Sequence, residues 1–365
     1  MKIGIDGSAL HGKFGGVEYA LWNLLRALAE LDRDNSYTVY VPHDGPGREM
    51  HSSFPPLWRW RRLPFRGANK PRRIAWQQVQ LPNELVRDRC DILHSPTYVS
   101  PIRCPVPVVL TVYDIIALSH PEFATGANRL HYGMVLPRSA RGAKSIIVPS
   151  ERVKQQLGDL VSGTLNKTRV VPLGVDAEFL SPISTEERLR SRERYRLPER
   201  YVLYVGNLEP KKNMRHLLRG MELIPNAPPL VIAGGARPWG RHKVPTGNVI
   251  PLGYVPRGEL PALYSECAAF AFPTLAEGFG LPVLEALACG APVVTSAAMP
   301  LPHIADSALI CDPTDPASIA AQLQRILEDD ALTADLRGRG PAFARDYTWE
   351  RAARMTLDIY DSLAG

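Results

Sequence analysis

In the stretch PTLAEGFGLPVLEALACGAPVV (273–294) two glutamates, Glu277 and Glu285, stand eight residues apart across a helix start. Pro282 falls in the first turn expected for that helix, and Gly290 just past its end. The loop before it aims free N–H groups outward, which makes a mouth for an anion or a hydroxyl. Gly278 and Gly280 let the backbone approach a ligand with no Cβ in the way. Glu277 lies at that mouth. Glu285 carries its charge amid Val283, Leu284, Ala286 and Leu287. A carboxylate there can accept two hydrogen bonds from a vicinal diol, such as the 2′- and 3′-hydroxyls of ribose. Spacing alone also fits a solvated loop acid at 277 and, at 285, an acid complementing the helix dipole.

A second loop carries cations. In YVGNLEPKKNMRHLL (204–218), Lys211 and Lys212 stand where strand and loop give way to a helix. Two cations at a helix N-terminus oppose its dipole, so an anion such as the paired phosphates of a nucleotide sugar compensates them. A pair of solvated lysines fits the same spacing. Gly15 and Gly16 open the helical stretch GVEYALWNLLRALAEL, and Tyr113 and Asp114 close the apolar run PVVLTVYD. His94 ends DILHS and His120 precedes Pro121; a histidine at a strand end serves packing as readily as a ligand. For a metal, the Asp-x-Asp spacing is met by Asp32 and Asp34, in LDRDNS after a helix, where a polar cap suits it better.

The elements that must hold these loops alternate. Strands are expected at 1–6, 37–42, 91–95, 107–114, 145–150 and 169–175, rich in β-branched residues and several near-continuously apolar, as strands covered on both faces are. Between them helical periodicity is clearest over 16–31, with a broad apolar stripe. SPISTEERLRSRERYRLPER (181–200) is polar, charged and proline-bounded, and the domain boundary is expected within it. A second series follows at 201–206, 229–235, 248–255, 268–273, 292–297 and 308–313. Strands alternating with helices, twice over, predict two parallel sheets with helices on both faces. Ligands of such sheets bind beyond the carboxyl ends of the strands, and with two of them the cleft between is the natural site.

Composition narrows the class. A chain of 365 residues with 45% hydrophobic and 22% charged residues suits two globular cores. Five scattered cysteines without a C-x-x-C pair argue against a disulfide framework or a zinc knuckle, and for reduced thiols in a cytosol. No signal peptide is expected from MKIGIDGSAL, and the apolar runs are far short of the ~20 residues of a membrane-crossing helix. The net charge of +6 is uneven: residues 1–180 hold 23 Lys+Arg against 16 Asp+Glu. Much of it lies in FPPLWRWRRLPFRGANKPRR (54–73), with seven basic residues, four aromatics and no acid. That segment reads as a solvated basic loop, or as a contact with an anionic membrane surface. No helix-turn-helix, zinc-finger or RNP pattern supports nucleic acid.

EGFGLPVLEALACGAPVVTS resembles the signature of retaining glycosyltransferases of family four. The resemblance implies α/β GT-B architecture: two Rossmann-like parallel-sheet domains facing each other across a deep cleft. It implies an acceptor-side domain over 1–185, a donor domain over 186–349, and a helix from about 350 to 365 packing back on the first domain. It gives Glu277 and Lys212 to the reacting end of the donor, with Glu277 on the sugar hydroxyls and Glu285 on the ribose. The backbone from Gly278 through Phe279, Gly280 and Leu281 approaches sugar and phosphate, and Gly15 and Gly16 face the donor phosphate. Asn207 stands where the family has an arginine, so Lys211 or a residue of the other domain is expected to supply that charge. Tyr113-Asp114 replaces the family's His-Asp, which leaves Tyr113, Asp114, His94 and His120 as candidates for sugar or acceptor contacts, and His303 stands where glutamate is usual. NLEPKKN resembles the mannosyltransferase branch that builds bacterial surface polysaccharides. A GDP- or UDP-linked sugar donor, a saccharide or lipid-linked acceptor, no cofactor and no metal are expected, in the cytoplasm or peripherally on the membrane's cytoplasmic face. A sugar-nucleotide epimerase or a non-catalytic sugar-nucleotide or glycan binder could share the architecture.

Overall fold

The computed structural model describes residues 1–11, 15–47, 53–234 and 247–363. The chain forms two compact units, Met1–Gly174 with Thr348–Gly365, and Val175–Tyr347.

In the first unit seven strands form one sheet: β1 (Lys2–Asp6), β2 (Ser36–Val41), β3 (Trp58–Arg62), β4 (Ile92–Ser95), β5 (Val108–Thr111), β6 (Ser145–Val148) and β7 (Thr168–Val170), in the order β3-β2-β1-β4-β5-β6-β7. Neighbours pair in parallel throughout, Ile3 opposite both Tyr37 and Ile92. Helix α1 (Gly16–Leu31) buries Leu21, Leu25 and Leu28 against this sheet's core, which also takes in Ala353, Ile359 and Tyr360 of the last helix, Trp349–Asp361. Asp32, at the end of α1, accepts Asn35 N–H and Nδ2, Asp34 N–H and the Tyr37 hydroxyl. It works as a polar cap.

Strand β3 lies in the 54–73 segment, where the sequence suggests a loop or a lipid contact. WRWRR alternates, so this edge strand puts Trp58 and Trp60 on one face and Arg59 and Arg61 on the other; Arg62, at the strand's end, is exposed. Trp58 stacks on Tyr37 at 4.0 Å, Trp60 packs against Trp22 and Phe54, and Phe54, Trp58 and Phe65 are all buried. These rings are therefore packed within the unit, and the cations of the segment and Leu57 remain for an outside partner.

The second unit holds a six-stranded parallel sheet: β8 (Val202–Val205), β9 (Leu230–Ala233), β10 (Val249–Gly253), β11 (Ala269–Phe272), β12 (Val293–Ser296) and β13 (Leu309–Cys311), ordered β10-β9-β8-β11-β12-β13. Strand order reverses between β8 and β11, and ligands of such sheets bind at that switch point. The boundary lies earlier than 181–200. That segment contains α2 (Thr185–Tyr195), closed by a Ser184/Glu187 capping box, and α2 belongs to the second unit. Its charges are the reason: Arg192 pairs with Glu266 at 3.0 Å and the Tyr195 hydroxyl donates to Glu259 at 2.6 Å. No helix among the described residues is long and apolar enough to cross a membrane.

Candidate active site

The two loops at the second sheet's switch point are joined backbone to side chain. After β8 the chain passes Gly206, with φ +147°, and Asn207, whose carbonyl accepts the Tyr204 hydroxyl at 3.0 Å. Lys211 and Lys212 then sit in a short turn capped by Asn213, whose φ of +61° starts the next helix. After β11, Leu275 N–H and the Thr274 hydroxyl both donate to Lys211 O, at 2.8 and 3.0 Å. Asn213 Nδ2 donates to Pro273 O at 3.0 Å. These bonds fix one loop on the other.

The result is an ion pair between Lys212 Nζ and Glu277, residues 65 apart in sequence. Both side chains are nearly buried, and Lys212 Nζ also stands 4.6 Å from the Phe272 ring centre. Burial pushes the Glu277 carboxyl up, but Lys212, then Lys211, and the Gly278 N–H together hold it below the usual carboxylate range. Lys211 Nζ is 4.0 Å from Glu209, so part of its charge is offset locally. The pair offers a fixed cation and an ionised acceptor side by side, suited to an anion next to a hydroxyl-rich group.

Helix α3 (Leu281–Ala288) starts at Gly280, whose φ is +99°. A Cβ at this position would run into Met299 Sδ, so both dihedral and space require glycine. Phe279 is buried edge-on against Tyr347, with ring centres 6.0 Å apart, and Leu281 is half-buried at the helix start. Glu285 is buried one turn further on, and it has partners that sequence reasoning missed. Arg257 Nη1 stands 2.7 Å from one carboxylate oxygen, and the Tyr264 hydroxyl donates to the other at 3.2 Å. Arg257 is itself held by Asp176 at 3.0 Å and lies over the Phe179 ring at 4.6 Å. Burial raises the Glu285 pKa, Arg257 opposes that rise, and Asp176 adds to it. The signal was present: a carboxylate amid Val283, Leu284 and Leu287 calls for a cation, and Arg257 lies in the strand-end loop after β10.

In the first unit Gly15 caps α1 with an extended backbone and Gly16 is the first helical residue. Tyr113 is buried at the carboxyl end of β5, edge-on to Tyr98 with ring centres 6.0 Å apart. Asp114 accepts the Tyr98 hydroxyl at 3.3 Å and Ile116 N–H at 3.0 Å. It lines a cavity of 120 Å3 with Tyr98, Tyr132 and Leu118. His94 is used within the core: Nδ1 meets the Tyr360 hydroxyl at 2.6 Å and Nε2 the Thr111 hydroxyl at 2.8 Å. Burial lowers its pKa to about 3, so the ring is neutral. His120 lies 2.9 Å from the Ser119 hydroxyl and stacks on Phe123. His303 is exposed, 4.0 Å from Asp306. Among the described residues no group of three or more His, Cys, Asp and Glu could hold a metal ion.

Two doubly wound parallel sheets, the second with a cation–carboxylate pair at its switch point, define the class of GT-B glycosyltransferases. The chain belongs to that family: residues 14–179 match Glycosyltransferase Family 4 and residues 185–342 match Glycosyl transferases group 1. O-antigen chain mannosyltransferase B of Escherichia coli is 32% identical over 308 residues, which span 80% of this chain and 78% of the relative. Anabaena HepE in complex with UDP and glucose superposes with a TM-score of 0.75 at 19% identity, covering 100% of both chains. Sucrose-phosphate synthase of Thermosynechococcus elongatus gives 0.78 at 19% identity, covering 99% of this chain and 98% of that one. These two structures share the fold.

Proposed function

We propose that this glycosyltransferase moves a hexose, mannose before others, from a GDP- or UDP-linked donor to a saccharide or lipid-linked saccharide with retained anomeric configuration. The setting would be bacterial surface-polysaccharide synthesis, on the cytoplasmic side. The name of the E. coli relative supports the sugar and the setting, and the UDP held by HepE supports a nucleotide donor. The observation that carries the chemistry is the Lys212–Glu277 pair at the switch point of the second sheet.

In this reading the diphosphate leaves as the bond from the sugar's anomeric carbon to phosphate oxygen breaks. A bond to the acceptor oxygen forms on the same face, and the acceptor's proton passes to the departing phosphate. Lys212, with Lys211, stabilises the growing charge, so that fixed cations do the work a divalent ion would otherwise do and no metal is required. Glu277 orients the sugar through its hydroxyls, Glu285 takes the ribose diol, and Arg257 positions that carboxylate. Membrane contact, if it accompanies the acceptor, rests on the cations of 54–73.

A melting panel with UDP, GDP, ADP and their hexose conjugates tests the donor, because a ligand at ~100 times its Kd adds ~2.7 kcal/mol to native stability. One nucleotide and its mannose conjugate should stand out, with transfer undiminished by EDTA and an α-linked donor giving an α-linked product by NMR. An inverted product, or turnover of the donor's sugar with no acceptor required, would overturn the proposal.

A further inference from the structure

The carboxyl ends of β2 and β3 enclose an open recess of 460 Å3 in the first unit, lined among others by His43, Phe65, Arg66, Asn69 and Arg72. No acid lines it. The guanidinium groups of Arg66 and Arg72 have no ion pair among the described residues. Asp44, next to His43 in sequence, accepts the Gly67 N–H at 2.7 Å. The positive field extends past the rim: burial lowers the His131 pKa, and Arg73 and Lys70 lower it further.

The recess is built rather than incidental. Arg62, the last residue of β3, donates to the carbonyls of Pro42, His43 and Gly45 at 3.1–3.3 Å, and to Pro46. His43 N–H donates to Phe65 O at 2.9 Å, so each wall of the recess is bonded to the other. Gly67 lets the wall close up: an added Cβ would stand 2.5 Å from His11 Cβ, in the segment that follows β1. One arginine is thus spent on holding the loop, while two more and a histidine face the space. Strand-end loops of this edge are where such sheets meet ligands.

We propose that this recess binds a phosphate or diphosphate ester carried by the acceptor, so that the acceptor is an anionic, phosphate-linked saccharide rather than a neutral glycan. The proposal rests on the glycosyltransferase reading above and names its second substrate by class. Planar guanidinium groups match phosphate oxygens in pairs, and a buttressed loop loses little freedom on binding them. A bilayer surface is the poorer match, because the aromatic residues that would enter an interface are packed into the core, Phe54, Trp58 and Phe65 buried and Trp60 partly so, and the cations surround a hollow.

The test uses the whole chain and the double variant Arg66→Ser/Arg72→Ser. Inorganic pyrophosphate titrated into the parent should move the His43 ring signals in NMR spectra, and in the variant those signals should stay still. Absence of movement in the parent overturns the proposal, whatever the enzyme transfers. In transfer assays, one saccharide is presented on farnesyl diphosphate and on an uncharged farnesyl ether. The variant should lose about ten- to a hundred-fold in kcat/KM on the first, as expected for two charge-assisted contacts, with donor KM unchanged. Equal use of both carriers by parent and variant, with intact donor-induced melting shifts, sinks the recess while leaving the transferase standing. Missing donor shifts sink the transferase instead. Flotation on phosphatidylglycerol vesicles separates the headgroup: binding lost in the variant alongside equal use of both carriers would assign the cations to lipid and overturn the proposal.

Discussion

At the scale of single residues the two glutamates differ in their surroundings, because each has its own cation: Lys212 for Glu277 and Arg257 for Glu285. Glu277 shares a nearly buried pair with Lys212, and under the function proposed above a donor diphosphate draws that lysine partly away while its sugar takes the carboxylate. Glu277→Gln should therefore lower kcat about a hundred-fold with a smaller change in donor KM, since misplacing the reacting group is costly. Glu285→Ala should raise donor KM about ten-fold or more by removing two acceptors from the ribose. Steady-state kinetics on both variants checks the division, and equal small effects would contradict it. The pair also sets a pH signature. Because Glu277 ionises below its ordinary value of 4.5 when folded, the unfolded chain binds more protons around that pH, and stability rises with pH there. Its contribution is complete above 4.5 and is lost as pH falls through the depressed folded value. Melting curves from acid to neutral pH should slope less steeply for Glu277→Gln than for the parent.

Whole elements show what the sequence could and could not reveal. Twelve of the thirteen strands, down to the three-residue β7 and β13, are legible because their residues are β-branched, aromatic or otherwise apolar, as strands covered on both faces are. Strand β3 is not, because its arginines outnumber its apolar residues and only Trp58 and Trp60 mark its inner face. The loop-to-helix turn at 273–288 is legible through Gly280 and Pro282, and the Lys211–Lys212 loop through its charges. Asp176 is not, since no local pattern ties it to Arg257, 81 residues away. At the turn the prediction concerns backbone. Gly280→Ala forces a side chain into φ +99° and into Met299, and should cost about 1–3 kcal/mol in urea unfolding, with weaker donor binding. A stability equal to the parent's would show that the loop relaxes freely and that no such fixed turn is needed.

Across the molecule the unequal feature is the path of the chain. The second unit is one continuous stretch, Val175–Tyr347, whereas the first is assembled from both ends. Its last helix buries Ala352, Ala353, Ile359 and Tyr360 in the same core as α1, and Tyr360 supplies the partner of His94. Gly174 must be glycine to let the returning backbone at Trp349 pass. A chain ending at Tyr347 should lose about 3–5 kcal/mol or more from the first unit, as several buried side chains vanish together. Two separate transitions in denaturation, with the second unit's intact, would be the outcome; a single unchanged transition would refute it.

That arrangement has a bearing on synthesis. The helix Trp349–Asp361 is translated only after the second unit, yet it is needed to seal the first, so residues up to Gly174 must wait, with the apolar side of α1 uncovered, until some 170 more have been polymerised. The middle of the chain has no such delay and can fold as soon as it emerges.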